Sequence, residues 1–261
     1  MCLILFAWRV HPIYSLVLAA NRDEFFARPT QPAGLWQQTP AVVGGRDLEK
    51  GGSWLAVSAA GRLAAVTNFR DGQRQKTGTR SRGLLVNDFV LSRLDARTYL
   101  KQIDEESAHY DGFNLLVAAD GTLLHYAKPG ARVTEVEPGI HGLSNHLLDT
   151  PWPKVERGKG ALQLSLELSG DALIDRLLAI LADDEIAADQ TLPTTGIALE
   201  WERLLSSAFI ATPDYGTRAS TVVLVGQSDV TFVERNFDSR HTVADTRKFT
   251  ITLQSSTLPL S

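Results

Sequence analysis

The second residue of the chain, Cys2, has the chemistry of a nucleophile. Methionine aminopeptidases remove an initiator methionine when the next residue is small, and removal here would leave a cysteine with a free α-amine. An α-amine has a pKa of about 7.7–8.0 and a thiol one of about 8.5, so the amine could act as general base for its own side chain. The alternative interpretation is a small apolar residue that opens a buried strand.

Four polar residues in a row, Asn21, Arg22, Asp23 and Glu24, end an apolar segment. In an extended strand, Asn21 and Asp23 point to one face, and Arg22 and Glu24 point to the other. A carboxylate that faces Cys2 could hold the ammonium form of its amine, whereas an arginine there would lower the pKa of the thiol. A solvated strand end is the alternative.

Amide and guanidinium groups lie at the ends of three further strands. The segments are Thr67-Asn68-Phe69-Arg70, Gly142-Leu143-Ser144-Asn145 and Gly216-Thr217-Arg218. Asn68 and Asn145 could donate amide hydrogens to an oxyanion, and Arg218 could attract an anionic substrate. Asparagine and glycine are common turn residues, so each segment alone is a weak signal. Their joint occurrence with Cys2 and Asp23 favours one site.

The elements that must position these residues are mostly strands in hairpins. Apolar runs predict strands over residues 2–8, 15–21, 53–58, 62–69, 113–119, 122–128, 132–137, 221–225, 230–234 and 248–253. Helical spacing predicts helices over residues 82–93, 96–107, 153–168, 171–182 and 200–210. Consecutive hairpins favour antiparallel sheets, so we expect an α+β fold with two such sheets and outer helices, in a single domain over 1–261.

Glycine and proline mark the turns between these elements. Residues 25–40 contain Pro29, Pro32 and Pro40 and are predicted to form a loop. The pair Gly51-Gly52 predicts a tight turn that places Trp54 near the mouth of a cleft. A hairpin turn with Trp54 as an ordinary core residue is the alternative.

Composition excludes several classes of function. The chain has 261 residues, 44% of them hydrophobic, and a net charge of −4. Proteins that bind nucleic acid or anionic membranes are usually basic, and no apolar run reaches the ~18 residues of a membrane span, so we expect neither partner. One cysteine excludes an intrachain disulfide. We expect no metal site, no nucleotide cofactor and a cytoplasmic location.

A set of short motifs resembles the NRDE, or transport and Golgi organisation, family. The motifs run in order from residue 1 to about 225 and so cover nearly the whole chain. They are Met-Cys-Leu-Ile at the start, Asn21-Arg22-Asp23-Glu24-Phe25, Gly44-Gly45-Arg46-Asp47, Gly51-Gly52-Ser53-Trp54-Leu55, Thr67-Asn68-Phe69-Arg70, Gly142-Leu143-Ser144-Asn145 with Pro151-Trp152 and Lys154-Val155, and Arg218-Ala219-Ser220-Thr221.

That family is similar to N-terminal nucleophile hydrolases of the cysteine type, such as bile salt hydrolases and penicillin V acylases. The resemblance implies a four-layer αββα sandwich of two antiparallel sheets flanked by helices. It also implies that Cys2 is the nucleophile, that Asp23 binds its amine, and that Asn68, Asn145 and Arg218 complete the catalytic set.

The sequence departs from those acylases at the second strand, where they have the order Arg-Asn-x-Asp. Alignment on Asn21 and Asp23 puts Ala20 at the arginine position and Arg22 on the opposite face.

Two functions follow as hypotheses. One is a hydrolase that cleaves a linear amide or acyl thioester through Cys2. The other is a carrier for an amphipathic anionic ligand, haem or an acyl-coenzyme A lipid, because the resembled family is associated with haem mobilisation and acyl-lipid metabolism. No cofactor is required in either, and haem enters only as cargo. The expected ligand contacts are Asn21, Arg22, Glu24, Trp54, Phe69 and Arg70.

Overall fold

The computed structural model describes residues 2–37, 40–73, 75 and 77–254, with the backbone alone for Cys2. The strands are β1 (Cys2–Trp8), β2 (Leu16–Phe25), β3 (Thr30–Trp36), β4 (Val42–Asp47), β5 (Leu55–Ser58), β6 (Leu63–Asn68), β7 (Phe113–Ala119), β8 (Thr122–Ala127), β9 (Arg132–Glu135), β10 (Gly139–Leu143), β11 (Tyr215–Val225), β12 (Asp229–Phe237) and β13 (Val243–Thr252). The helices are α1 (Gly83–Leu91), α2 (Ala96–Glu105), α3 (Pro153–Gln163), α4 (Gly170–Leu181) and α5 (Leu199–Leu204).

These strands form two antiparallel sheets. Within the described ranges, one sheet has six strands in the order β10-β1-β2-β11-β12-β13, so it joins the start of the chain to its end. The other has seven strands, β3 to β9, in the order in which they occur along the chain. The hairpins predicted from the sequence account for β5 to β9 of the second sheet, whereas β3 and β4 are not among the predicted strands. Only the first sheet requires distant segments to meet.

Three apolar clusters separate four layers. Strand β1 shows the pattern: Ile4 and Phe6 pack between the two sheets, while Leu3 and Leu5 pack against the helices α3 and α4 on the outer face. A third cluster fills the space between the seven-stranded sheet and α1 and α2. A strand that is buried on both faces has apolar residues at consecutive positions, and this explains why polar and apolar residues do not alternate along β1. The αββα sandwich expected from the sequence is confirmed.

One sequence expectation, the loop over residues 25–40, is wrong for its middle part. Residues Thr30–Trp36 form β3, at the edge of the seven-stranded sheet. Its pairing with β4 shifts register between Gln31 and Gly34, at Pro32. Proline lacks an N–H and is tolerated in a sheet at edges and bulges, and this strand offers both.

The strand that carries the four polar residues is also longer than expected. Strand β2 continues to Phe25 rather than ending at Asn21, because β11 pairs with it as far as Phe25, whereas its pairing with β1 reaches Arg22. The pairing with β11 gives the backbone of the polar segment hydrogen-bond partners within the sheet.

The Gly51-Gly52 turn is present, with φ angles of 70° and 88° at the two glycines. A Cβ on Gly52 would lie 2.3 Å from the backbone carbon of Gly83, so the turn packs directly on the start of α1. In the part of the chain that the structure describes, no helix is both long and apolar enough to cross a membrane.

Candidate functional site

A cleft of about 450 Å³ opens at one end of the sandwich, where β2 and β6 end and β5 begins. We call it the site cleft. Five of the residues selected from the sequence line it, and they come from three different strands or turns: Arg22, Asp23, Glu24, Trp54 and Asn68. The sandwich therefore brings together residues that lie up to 46 positions apart in these segments alone, from Arg22 to Asn68.

Backbone register places Cys2 directly opposite Arg22 in the β1–β2 pair. Arg22 is buried, and its guanidinium carbon lies 4.4 Å from the centre of the Trp54 ring. The sequence leaves open whether Asp23 or Arg22 faces Cys2, and the observed register pairs Cys2 with Arg22. The side chain of Cys2 and residue Met1 lie outside the described part of the chain, so the role of Cys2 as nucleophile stays a prediction.

Asp23 is buried at the inner end of the cleft, with 2% of its surface exposed. Thr217 on β11 donates a hydrogen bond from Oγ1 to Asp23 Oδ1 at 2.7 Å, and Thr217 Oγ1 in turn accepts the N–H of Ile210. Burial raises the pKa of Asp23, and the nearby Lys154, the Thr217 hydroxyl and Arg22 act to lower it. Burial is the larger effect, so the pKa of Asp23 lies above its ordinary value of 3.8.

The two asparagines meet behind the cleft wall. Asn145 is fully buried, and its Nδ2 donates to the backbone carbonyl of Asn68 at 2.9 Å. The backbone N–H of Arg70 donates to the carbonyl of Asn145 at 2.7 Å. Asn68 thus lines the cleft, while Asn145 holds the strand end that carries it.

Arg218 lies at a bulge in β11, where the pairing with β2 shifts between Thr217 and Ala219. Its Nη1 donates to the carbonyls of Phe25 at 2.9 Å and Arg28 at 3.1 Å. It lines a neighbouring cavity of about 240 Å³ rather than the site cleft. Arg22 and Trp54 line both spaces, so their stacked side chains form the wall between them.

Three expected ligand contacts lie elsewhere: Asn21, Phe69 and Arg70 are not among the described residues that line the site cleft. Asn21 donates to the carbonyls of Leu181 and Ala208, both at 2.8 Å, and accepts from Ser220.

Phe69 packs its ring on His146, with the ring centres 4.9 Å apart. Arg70 is paired with Glu202 at 2.7 Å. The polar groups of Asn21 and the charge of Arg70 are therefore engaged within the fold.

Two residues near the site were not among those selected from the sequence: Thr217 and Lys154. Thr217 stands in the Gly216-Thr217-Arg218 segment, where the arginine alone drew attention. Lys154 lies in the first turn of α3 and is 2% exposed. A lysine at a helix start is ordinarily a surface residue, so only its place in the Trp152–Val155 motif could have marked it.

The outer part of the site cleft carries charge of both signs. Arg28, Lys50, Arg80 and Arg82 line it together with Asp47 and Asp111. Arg28 is paired with Asp47 at 2.7 Å. Within the described ranges, no cluster of three or more His, Cys, Asp or Glu side chains could hold a metal ion.

A family model described as Transport and Golgi organisation 2 matches residues 1–239. The chain belongs to this family. The Transport and Golgi organization protein 2 homolog of Bos taurus is 41% identical over 260 residues, covering 90% of this chain and 93% of the bovine protein. The Homo sapiens homolog is 37% identical over 279 residues, covering 98% of this chain and all of the human protein.

Solved structures place this member of the Transport and Golgi organisation 2 family in a known fold. The C2A mutant of conjugated bile acid hydrolase from Clostridium perfringens has a TM-score of 0.52 at 8% identity, covering 97% of each chain. A Caenorhabditis elegans ortholog of N-acylethanolamine-hydrolyzing acid amidase has a TM-score of 0.47 at 10% identity, covering 85% of this chain and 92% of the other. The bile acid hydrolase likeness shows the N-terminal nucleophile hydrolase fold.

Proposed function

We propose that this member of the Transport and Golgi organisation 2 family hydrolyses a linear amide or acyl thioester through Cys2, after removal of Met1. The observation that carries the proposal is the β1–β2 register, which pairs Cys2 with Arg22 at the inner end of a cleft that Asp23 and Asn68 also line. A thiol next to an arginine is more acidic than a free one. The site cleft is of a size that small-molecule sites commonly have.

The proposed reaction has two steps. The α-amine of Cys2 takes the thiol proton, the sulfur attacks the carbonyl carbon, and the bond to nitrogen or sulfur breaks as the ammonium returns a proton to the leaving group. Water then attacks the resulting acyl-enzyme thioester, gives its proton to the amine, and releases a carboxylate and the thiol. The side-chain amide of Asn68 would donate to the oxyanion in both steps.

Asp23 would hold the ammonium form of the amine between these transfers. Such a role needs a carboxylate, and burial favours the neutral form of Asp23. Burial raises the pKa of Asp23, and the nearby Lys154 and the hydroxyl of Thr217 offset part of that rise. In the proposal, the ammonium group of Cys2 itself would further favour the ionised form of Asp23. Lys154 is thereby a positioning residue in the proposal.

The test begins with the N-terminus of the protein from its native host. Intact-mass spectrometry should show loss of Met1. Since Cys2 is the one cysteine in the chain, iodoacetamide labelling reports on it alone. We expect labelling at pH 6–7 to be faster than that of N-acetylcysteine amide.

Activity is then measured on two probes, glutaryl-p-nitroanilide and the S-glutaryl thioester of N-acetylcysteamine. Cys2→Ala keeps a small second residue, so Met1 is still removed, and turnover should disappear. Cys2→Ser is the matched control and should retain a trace. Retained Met1, or wild-type turnover in Cys2→Ala, contradicts the proposal.

A carrier of an amphipathic anion, haem or an acyl thioester, is the second candidate. It is favoured by the Arg22–Trp54 stack, which offers a cation and an aromatic face in one wall. In that case Cys2→Ala leaves haem affinity unchanged in an absorbance titration, whereas Arg22→Gln weakens it. Loss of affinity in Cys2→Ala alone would instead indicate a thiolate ligand to the haem iron.

A further inference from the structure

A second opening lies at the other end of the sandwich, where β1 and β11 end and β2 and β6 begin. It leads into a cavity of about 530 Å³, which we call the end cavity. Leu16 lines the end cavity and Arg22 lines the site cleft on the same strand. Six residues of strand separate them, or about 20 Å at the usual rise.

The walls of the end cavity are the inter-sheet core itself. Trp8, Leu16, Val57, Leu63 and Val230 line it, and all five belong to the apolar cluster between the two sheets. Its rim is made by hairpin turns from both sheets, including Gly61, Gly121 and Gly226. The hydrophobic core is thus accessible from this end.

Charge is nearly absent from this surface. Among the described residues that line the end cavity, Asp120 is the one with a charged side chain, and none is Lys, Arg or His. Arg9 flanks the rim of the cavity, where it donates to the carbonyl of Gly121 and its guanidinium lies over the ring of Trp8. Hydroxyl and amide groups at the rim, such as those of Ser15, Thr122 and Gln227, offer hydrogen bonds without charge.

We propose that the end cavity binds a neutral, largely apolar small molecule. Its volume lies in the range of small-molecule sites, and its walls would remove apolar surface from water. Among the described lining residues an anionic ligand finds no cationic side chain and would face Asp120, while the adjacent Arg9 is held by the carbonyl of Gly121 and the ring of Trp8. The ligand of this cavity therefore differs in class from that proposed for the site cleft. The inference stands whether or not the site cleft is catalytic.

Another occupant is available within the chain. The last described residues, Leu253 and Gln254, line the cavity, and residues 255–261 follow with the sequence Ser-Ser-Thr-Leu-Pro-Leu-Ser. If this segment fills the cavity, no space remains for a ligand, and the experiment must separate the two cases.

The probe is N-phenyl-1-naphthylamine, a neutral dye whose fluorescence rises in apolar surroundings. We expect saturable binding of one dye per full-length chain. Ala118→Leu adds bulk inside the cavity and should weaken binding by about tenfold, whereas Ala118→Ser keeps the volume and should retain it.

A second pair of variants avoids the risk that Ala118→Leu disturbs the fold. Val225→Asp places a charge at the cavity wall and should weaken dye binding, whereas Val243→Asp on the exposed part of β13 should not. Dye binding that is absent, or equal in all four variants, overturns the proposal. Binding that appears only in a chain shortened to residue 254 also overturns it, because residues 255–261 are then the occupant.

Discussion

Arg70 and Glu202 form an ion pair that is nearly closed to solvent. Their side chains are 3% and 4% exposed, and Arg70 Nη1 donates to Glu202 Oε2 at 2.7 Å. The guanidinium also lies over Trp152, and Glu202 Oε1 accepts from the backbone and hydroxyl of Thr195. This pair connects helix α5 to the segment that follows β6, and Asn68 is the last residue of β6.

We expect Glu202→Gln to lower the free energy of unfolding by about 3–5 kcal/mol, because it leaves a buried guanidinium without its counter-charge. For a chain of this size that is a fall in Tm of about 10 °C. The measurement is thermal unfolding followed by circular dichroism.

The double variant Arg70→Met with Glu202→Leu is the control. It removes both charges and should recover much of the loss. A Glu202→Gln variant with the same Tm as the wild type would contradict the presence of a buried ion pair.

The ring of Trp54 packs against the backbone of β4 at Gly45. A Cβ at Gly45 would lie 2.1 Å from that ring, whereas one at Gly34 on the neighbouring strand would meet nothing within 4 Å. Gly45→Ala should therefore displace Trp54, lower Tm by about 4–8 °C and weaken any ligand of the site cleft. Gly34→Ala is the matched control and should leave both unchanged. Equal melting temperatures for the two variants would show that Trp54 does not pack there.

The sequence could place Asp23, Asn68 and Trp54 at one cleft because each follows or precedes a recognisable strand or turn. It could not exclude Arg70, which stands in the same motif as Asn68. The reason is that its partner, Glu202, lies 132 positions away, and the burial of the pair is a property of the tertiary fold. Catalytic roles for the selected residues stay predictions.

At the scale of elements, Glu234 on β12 links the two sheets. It is completely buried, and its Oε1 accepts the N–H of Ala33 on β3 at 2.6 Å. Burial raises the pKa of Glu234 to about 7 from an ordinary value of 4.5. The folded state therefore prefers the protonated carboxyl, and its contribution to stability is full below pH 4.5 and is lost as the pH rises through about 7.

We expect Glu234→Gln to remove this part of the pH dependence, since an amide oxygen can still accept from Ala33 but does not ionise. The variant should gain stability relative to wild type between pH 5 and pH 8. Urea unfolding at pH 5 and at pH 8 measures this gain in stability, and Glu156→Gln on the exposed face of α3 is the control. If the free energy of unfolding changes between pH 5 and pH 8 by the same amount in Glu234→Gln as in wild type, Glu234 does not titrate in this range.

Strand β3 shows why single elements are harder to predict than the layers they form. Three prolines between residues 25 and 40 are a sound loop signal, but the signal does not reveal that the segment lies at a sheet edge. Apolar strands such as β1 are recognisable because they are buried on both faces. An edge strand has no such pattern, and its pairing partner decides its structure.

At the scale of the molecule, the four layers could be expected from consecutive hairpins and from the family resemblance, whereas the order of strands could not. No local sequence feature indicates that β2 pairs with β11, although this pairing places Thr217 beside Asp23 in the site. The arrangement also predicts how stability is distributed. Strands β2 and β11 are paired on both sides and mostly buried, while β9 and β13 are edge strands and mostly exposed.

Hydrogen exchange measured by mass spectrometry should follow that distribution. Amides of β2 and β11 should exchange only through global unfolding, and those of β9 and β13 should exchange by local opening, orders of magnitude faster. Peptides from the interior strand β7 serve as an internal standard for the second sheet. Equal protection in β13 and β2 would contradict the strand order.

That strand order also sets when each part of the protein can fold during synthesis. The seven-stranded sheet is built from strands in the order in which the ribosome releases them, so it can form as soon as Glu135 has emerged. Strands β1 and β2 emerge first but find their neighbour β11 only after Tyr215–Val225 has been made. The growing chain therefore carries its first hairpin, which includes the apolar strand β1, without the β11 neighbour for most of translation, when nascent chains are exposed to aggregation. The candidate catalytic end, which depends on both sheets, can be assembled only after β11 has been made.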